Sequence, residues 1–298
     1  MHYKIIFLII SSNNEEIYTK MRELSPKFYE LYPNKIKYFF IENKSDLNEI
    51  VIEDDNHLYI NGTESFIPGI YQKSIKAIEY VTNNYSFDYI IRTNLSTFWH
   101  LPNLFKLLDS IPREKFAGGY AFQGFISGTG IIMSRDVGII VYSNPSSSYI
   151  GDDLAISQTI QANGISLYDI IEYKWGFLIP QNDILPNNCR YLDINENNFS
   201  DILNFRIKNG DRNIDVNYFK ILLKKIYNVI IDDAIDTCTY NNAVNLAIPN
   251  FEPVNTVNSV KTIEPVNLVN SVKTIEPVNL VKPVKIMQIK NILLLKRK

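Results

Sequence analysis

A run of small polar side chains ends an otherwise apolar stretch in the segment FDYIIRTNLSTFWHL, residues 87–101. Its first half, rich in aromatic and β-branched residues, predicts a buried strand. Arg92, Asn94 and Ser96 follow where that strand would end. Because ligands of open α/β sheets bind at the carboxyl ends of the strands, we predict that these residues line a binding site. The competing interpretation is that Thr93, Asn94 and Ser96 only cap the turn into the next helix.

A pair of acidic residues, Asp152 and Asp153, opens the segment DDLAISQTIQANG, which has the pattern of a helix ended by Gly164. A helix N-terminus stabilises ionised carboxylates, so the pair either performs acid–base chemistry or complements the helix dipole. The glycine-rich segment GFISGTG lies shortly upstream, and glycines let the backbone approach a ligand closely. A close-approach segment beside an acid is typical of a substrate pocket and favours the catalytic interpretation.

The composition describes the protein that must position these residues. The chain has 298 residues, of which 46% are hydrophobic, and it can bury a sizeable core. Its 30 Lys and Arg residues nearly balance 32 Asp and Glu residues, so no nucleic-acid partner is indicated. Cys189 and Cys238 have no spacing typical of a disulfide framework or a zinc site. We therefore expect a reducing compartment and a cytoplasmic location.

The first apolar run, KIIFLII at residues 4–10, has two interpretations. It is either the core of a signal peptide or the first buried strand of the domain. The run is short and no small-residue cleavage site follows it, so we predict a strand. No other segment approaches the ~18 apolar residues of a membrane span, and we expect none.

Strand and helix patterns alternate over most of the chain. Apolar strand patterns at residues 35–42, 57–60 and 87–94 alternate with amphipathic helical patterns, of which that at residues 68–85 is the longest. This order predicts an α/β fold with a mostly parallel mixed sheet flanked by helices. Residues 116–143 combine glycine-rich turns with apolar strand segments, and a last amphipathic helix is predicted near residues 214–230.

The C-terminal part of the chain is repetitive. The motif EPVN recurs every 12 residues, from Glu252, Glu264 and Glu276. Each copy contains Pro and lacks Gly, which favours a flexible or extended tail over a folded β-repeat. We therefore predict a folded domain over residues 1–247 and a tail over residues 248–298, with a possible partner for the repeats.

Three separated segments together resemble a known family. RTNLSTF, SGTGIIMSRD and the acid pair of GDDLA follow one another in the order seen in GT-A-fold glycosyltransferases. The chain is similar to β-1,3-galactosyltransferase-like enzymes and to related proteins of large DNA viruses, with the similarity extending over about residues 4–228. In that family a strand ends in a pattern like R/K-T-D-D-D-T-F, and a later segment reads like S-G-x-G-x-x-x-S-R-D. The resemblance implies a Rossmann-like GT-A fold and, for a viral protein, the host cytoplasm.

The resemblance also implies a metal question. The family's acidic triplet binds Mn²⁺ that bridges the donor diphosphate, and it falls here on Asn94, Leu95 and Ser96. No carboxylate remains, and hard divalent cations gain much of their affinity from anionic oxygens. Either Asn94 and Ser96 hold Mn²⁺ or Mg²⁺ through neutral oxygens, or Arg92 or another cation neutralises the diphosphate without metal.

Further residues acquire expected roles from the same resemblance. Ser11 and Ser12 would lie beside the nucleotide base or ribose, and Lys73 beside the nucleotide or diphosphate, with a solvated lysine as the alternative. Arg206, Lys208 and Arg212 lie close together in FRIKNGDRNID. This cluster is either a clamp on the diphosphate or a basic loop without a specific role.

The sequence thus leads to one hypothesis and one main rival, while a third interpretation makes the tail the functional part and the folded domain a scaffold for a partner of the repeats. The chain would transfer a sugar from a nucleotide-sugar donor, with UDP-sugars favoured, to a hydroxyl of a glycan or glycoprotein. Asp153, the second acid of the pair with Asp152, would act as general base in an inverting reaction. The rival is a non-catalytic glycosyltransferase-like module that binds a nucleotide sugar or glycan, which the missing triplet favours.

Overall fold

A computed structural model of the chain describes residues 1–146, 150–179, 185 and 188–231. The predicted tail of residues 248–298 lies outside the described residues, and so does Cys238. Over the described ranges, no helix combines the length and the apolar character that crossing a bilayer requires.

The described elements alternate between strands and helices over much of the chain. Strands are β1 (His2–Ile10), β2 (Ile36–Lys44), β3 (Val51–Asp54), β4 (His57–Asn61), β5 (Ser86–Asn94), β6 (Thr97–Trp99), β7 (Ala117–Phe122), β8 (Phe125–Ser134), β9 (Leu167–Asp169), β10 (Lys174–Leu178), β11 (Cys189–Tyr191) and β12 (Ile202–Ile207). Helices are α1 (Glu16–Leu24), α2 (Pro26–Tyr29), α3 (Gly69–Asn84), α4 (Leu101–Ser110), α5 (Arg135–Ser143), α6 (Asp152–Ala162) and α7 (Arg212–Tyr227).

The larger sheet is mixed, and its order is β3-β4-β2-β1-β5-β8-β7-β9. The pairs β1–β2, β1–β5, β2–β4 and β7–β9 are parallel, and the pairs β3–β4, β5–β8 and β7–β8 are antiparallel. The predicted mostly parallel mixed sheet flanked by helices is confirmed. A smaller sheet has the order β11-β10-β12-β6.

Strand β1 shows why the first apolar run is continuous. Phe7 and Ile9 belong to the core on one side of the sheet, together with α1, α4, α7 and the smaller sheet. Ile6 and Leu8 belong to the core on the other side, together with α3, α5 and α6. A strand covered on both faces needs apolar residues at every position rather than at alternate ones. The interpretation of residues 4–10 as a buried strand is confirmed.

The structure differs from the sequence prediction at residues 135–143. The apolar residues there read as a strand, but they form helix α5. Its N-cap is Ser134, which has an extended backbone and whose hydroxyl donates to the Asp136 carboxylate at 2.5 Å. Val137 and Val141, one helical turn apart, are then both buried against the sheet. Tertiary burial overrides the strand preference of the Val and Ile side chains here.

The turn after β5 also differs from one interpretation of the sequence. Helix α4 begins at Leu101, and its N-cap is His100, whose Nδ1 accepts a hydrogen bond from the Asn103 amide at 3.2 Å. The alternative in which Thr93, Asn94 and Ser96 cap the next helix is therefore wrong. Strand β6 lies between these residues and the helix, and it joins them to the smaller sheet by pairing with β12.

Candidate active site

The candidate site is a cavity of about 430 Å³ at the carboxyl ends of β1 and β5. All the residues that the sequence singled out for this site line it, namely Ser11, Ser12, Lys73, Arg92, Asn94, Ser96, Asp152, Asp153, Arg206, Lys208 and Arg212. They come from widely separated segments, from Ser11 after β1 to Arg212 in α7. The topology therefore brings the predicted site residues together at the carboxyl ends of the strands, where ligands of open α/β sheets bind.

One side of the cavity, which we call the strand wall, consists of Arg92, Asn94, Gly128, Asp152 and Asp153. Arg92 extends from β5 and donates to the Asn94 side-chain oxygen at 3.0 Å and to the Gly128 carbonyl at 2.5 Å. Its second terminal nitrogen lies 2.6 Å from the Asp152 carboxylate. The two side chains are only 3% and 10% exposed, so the ion pair is buried.

Asp152 and Asp153 differ in their surroundings although they are adjacent in sequence. Burial raises the pKa of Asp152, an effect that Arg92 opposes and the charge of Asp153 reinforces. Asp153 instead accepts the Gly128 amide at 3.0 Å and the Leu154 amide at 2.9 Å. No cation of the described part of the chain pairs with Asp153. Of the two, Asp153 is the carboxylate free to meet a ligand.

Gly128 connects the ion pair with Asp153. Its carbonyl accepts from Arg92, and its amide donates to Asp153. A Cβ atom at this position would lie 2.6 Å from an Arg92 nitrogen and 3.3 Å from an Asp153 oxygen. Only glycine leaves room for this close approach, which gives the glycine-rich segment of β8 a specific role at the site.

A second part of the lining, which we call the basic wall, consists of Arg206 at the end of β12, Lys208 in the following loop and Arg212 at the start of α7. Arg206 donates to the Ser96 hydroxyl. Arg212 pairs with the buried Asp215. Over the described ranges no carboxylate lies within ion-pair distance of Arg206 or Lys208.

The electrostatic state of Arg206 follows from its neighbours. Burial, followed by the charges of Arg212 and Arg92, lowers its pKa to about 10. The guanidinium is therefore still charged at neutral pH, but it sits in an excess of positive charge. An anion in the cavity would relieve that excess.

The end of β1 forms the third part of the cavity. Lys73 is fully buried, and its ammonium donates to the Ser11 carbonyl at 2.7 Å and to Glu64 at 2.5 Å. Burial lowers the pKa of Lys73, and Glu64 partly offsets this. The alternative of a solvated lysine is therefore wrong. Arg22 donates to the Ser11 hydroxyl at 3.0 Å and to the Ser12 carbonyl at 2.7 Å, which fixes this strand end.

The residues predicted to hold a divalent cation have other partners. The Asn94 oxygen accepts from Arg92, and the Ser96 hydroxyl accepts from Arg206. Divalent Mg²⁺ and Mn²⁺ favour anionic oxygens, whereas these two are neutral and each faces a guanidinium. No group of three or more acidic, His or Cys side chains that could hold a metal occurs in the described ranges. This donor set does not fit a divalent cation.

Several lining residues were not predicted from the sequence. Glu64, Ser65 and Phe66 follow β4, and Asn14, Glu15 and Tyr18 follow β1. The strand-end rule, applied to β4 as it was to β5, would have indicated Glu64. Phe66 lines the cavity and is 76% exposed. No pattern in the sequence distinguishes it from a buried aromatic residue of the core.

Comparison with known proteins gives structural matches but no sequence match. No family model and no curated protein matches the chain. A solved structure, that of a glycosyltransferase involved in the glycosylation of the major capsid of PBCV-1, aligns with 73% of this chain and 99% of its own. The two are 13% identical, with a TM-score of 0.43. A similarity of this degree assigns no activity to the chain.

Proposed function

We propose that the chain is a glycosyltransferase that moves a sugar from a nucleotide-sugar donor to an acceptor hydroxyl with inversion. One observation carries the proposal. Among the described residues, a single cavity has an acidic side chain without a cation partner, Asp153, on one wall, and cations without an ion-paired carboxylate, Arg206 and Lys208, on the other. Displacement at an anomeric carbon needs both, a base for the attacking hydroxyl and positive charge for the departing diphosphate.

The reaction uses these groups in one displacement step. The acceptor oxygen forms a bond to the anomeric carbon while its proton passes to the Asp153 carboxylate. The bond between that carbon and the diphosphate oxygen breaks, and its electron pair stays on the diphosphate. Arg206 and Lys208 stabilise the charge that develops there. The nucleoside would lie by Ser11 and Ser12, at the end of β1.

Asp152 and Arg92 act through Asp153 in this proposal. Arg92 holds the Gly128 carbonyl, and the Gly128 amide holds one oxygen of Asp153. Asp152 in turn fixes Arg92 by the buried ion pair. We therefore assign Asp152 and Arg92 to positioning and keep the proton transfer for Asp153. UDP-sugars are the first donors to test, because the resemblance of the sequence favours them.

The rival function is a module that binds a nucleotide sugar or glycan without turnover. The neutral residues Asn94, Leu95 and Ser96 at the end of β5 favour it. It predicts the same cavity and the same ligand affinity as the enzyme. It differs from the proposed function in one property, which is that no nucleoside diphosphate is released.

The test combines binding with turnover. The full chain is incubated with UDP-, GDP-, dTDP- and CMP-sugars and a mixture of oligosaccharide acceptors, and release of the nucleotide is followed over time. We expect release from one donor class by the wild type and its loss in Asp153→Asn, with the variant still binding the nucleotide. Binding without release by the wild type would establish the rival. Neither binding nor release with any donor would refute both.

A further inference from the structure

We infer that the site binds the donor diphosphate through Arg206, assisted by Lys208, without a divalent cation. The inference rests on the proposed function and deepens it, since it says which charge replaces that of a metal. Its two supports are independent features of the cavity. One is the state of the oxygens at the end of β5, and the other is the state of the guanidinium that faces them.

The side-chain oxygens of Asn94 and Ser96, at the end of β5, already accept hydrogen bonds from arginines. A cation bound to the Asn94 oxygen would compete with the Arg92 nitrogen 3.0 Å away, and one bound to the Ser96 hydroxyl would compete with Arg206. Divalent cations sit about 2.0–2.6 Å from their ligand oxygens. Such an ion would therefore lie next to two guanidinium groups, and Asp152, the carboxylate beside Arg92, is already paired with that arginine.

Arg92 cannot turn away to make room. Its side chain is 3% exposed, and it bonds Gly128 and Asp152 in addition to Asn94. Moving it would leave the Asp152 carboxylate buried without its partner, which is costly. The positive charge beside Asn94 is thus a fixed part of the strand wall.

Arg206 has the properties of a phosphate ligand. It is partly buried and lines the cavity, and its one hydrogen bond in the described structure is to the neutral Ser96 hydroxyl. A guanidinium has five N–H donors in a planar fork that matches two phosphate oxygens. The bond to Ser96 fixes its orientation and leaves other donors for the ligand. Lys208, exposed and without a carboxylate partner among the described residues, adds charge at the edge of the same wall.

The decisive measurement is calorimetric titration of the full chain with UDP, GDP, dTDP and CMP, in EDTA and in Mn²⁺. We expect at least one nucleoside diphosphate to bind in EDTA, with a dissociation constant within twofold of that in Mn²⁺. Arg206→Gln should weaken that binding at least tenfold in both buffers, and Arg206→Lys should weaken it less. Arg135→Gln is the matched control, because Arg135 also bonds a neutral oxygen, the Thr82 carbonyl at 2.8 Å, but lies outside the cavity.

Each outcome separates this inference from the proposed function. Binding that requires Mn²⁺ would overturn the inference and leave the proposed function intact. Binding in EDTA that Arg206→Gln does not weaken would overturn the role of Arg206. Absence of binding by every nucleotide in both buffers would overturn the inference and the proposed function together. The wild-type titration in EDTA decides the metal question even where the Arg206→Gln variant fails to fold.

Discussion

The strand wall and the basic wall line the same cavity, but they differ in how far their cations are paired with carboxylates. In the strand wall Arg92 is paired with Asp152 and bonded to Asn94 and Gly128. In the basic wall Arg206 has only a hydroxyl partner, and Lys208 has no carboxylate within reach among the described residues. The Arg92–Asp152 pair is neutral as a whole and buried, whereas the basic wall is positive and open to the cavity.

The difference separates the groups that build the site from those that serve the ligand. A buried cation with a carboxylate partner has its charge neutralised. Removing either group leaves the other as an unpaired charge in the protein interior. The charge of a cation without such a partner is not neutralised within the protein, so it attracts an anion that enters the cavity. Variants of the strand-wall pair should therefore act on stability, and variants of Arg206 and Lys208 on binding. Asp153 is the exception in the strand wall, because it has no cation partner among the described residues.

The largest effect is expected for Asp153→Asn. The amide cannot accept the acceptor proton, so turnover should fall by about 10²- to 10⁴-fold, the usual contribution of a positioned acid or base. The dissociation constant of the nucleotide should stay within about twofold, because Asp153 does not bind the diphosphate. Steady-state kinetics and calorimetry on the same samples measure both quantities.

The matched control for that variant is Asp136→Asn. Asp136 also lies in the first turn of a helix and also accepts a backbone amide, that of Lys115 at 2.8 Å, but it is outside the cavity. Its turnover should equal that of the wild type. Equal losses in the two variants would mean that any first-turn acid matters only for folding, and Asp153 would lose its role as base.

The next effect is the stability cost of breaking the buried pair. Arg92→Met leaves Asp152 buried without its cation, and the free energy of unfolding should fall by about 3–5 kcal/mol. The double variant Arg92→Met/Asp152→Leu should recover most of this loss, because both charges are gone. Denaturant unfolding measures all the variants.

Arg206→Met tests the contrast between the walls by the same unfolding measurement. Among the described residues Arg206 leaves no ion-paired carboxylate behind, so its removal should change the free energy of unfolding by less than about 1 kcal/mol. A loss in Arg206→Met as large as that in Arg92→Met would contradict the distinction between paired and unpaired cations.

The sequence predicted the position of these residues better than their partners. Arg92 and Asn94 were placed at the site because a buried strand visibly ends there, and Asp153 because its helix has a clear start. The burial of Lys73 against Glu64 could not be predicted. The spacing of apolar residues in α3 shows on which face of the helix Lys73 lies, but it does not show which carboxylate packs against that face. The smaller sheet was not predicted because its strands are short. Its pairing of β6 with β12 brings Arg206 next to Ser96, which is more than a hundred residues away in sequence.

Arg212 combines the properties of both walls and should show an intermediate effect. It faces the cavity but pairs with the buried Asp215, which also accepts the Asn209 backbone amide at 2.9 Å and its side-chain amide at 2.8 Å. Because those two bonds remain, Arg212→Gln should cost about 1–3 kcal/mol of the free energy of unfolding, less than Arg92→Met. Nucleotide affinity should fall only a few-fold.

The pH dependence of the Arg212→Gln deficit identifies its cause. Burial raises the pKa of Asp215 above its ordinary value of 3.8, and Arg212 opposes that shift. Without Arg212 the pKa rises further, so the native state favours the protonated acid even more than the unfolded chain does. The deficit should therefore be small near pH 4 and grow as the pH rises through the raised pKa of Asp215. A deficit independent of pH would assign the loss to packing of the Arg212 side chain.

The smallest effect is expected for Lys208→Gln, and its dependence on salt is the informative part. Lys208 is exposed, so its attraction for a diphosphate is screened by ions and should contribute about two- to fivefold in affinity at low ionic strength. The difference should vanish near 0.5 M salt, where the screening length is about 4 Å. Lys106→Gln on α4 removes the same charge from an exposed position outside the cavity. Calorimetry at two salt concentrations separates the cases: equal losses in both variants would reflect net charge alone, whereas a loss confined to Lys208→Gln assigns the attraction to the basic wall.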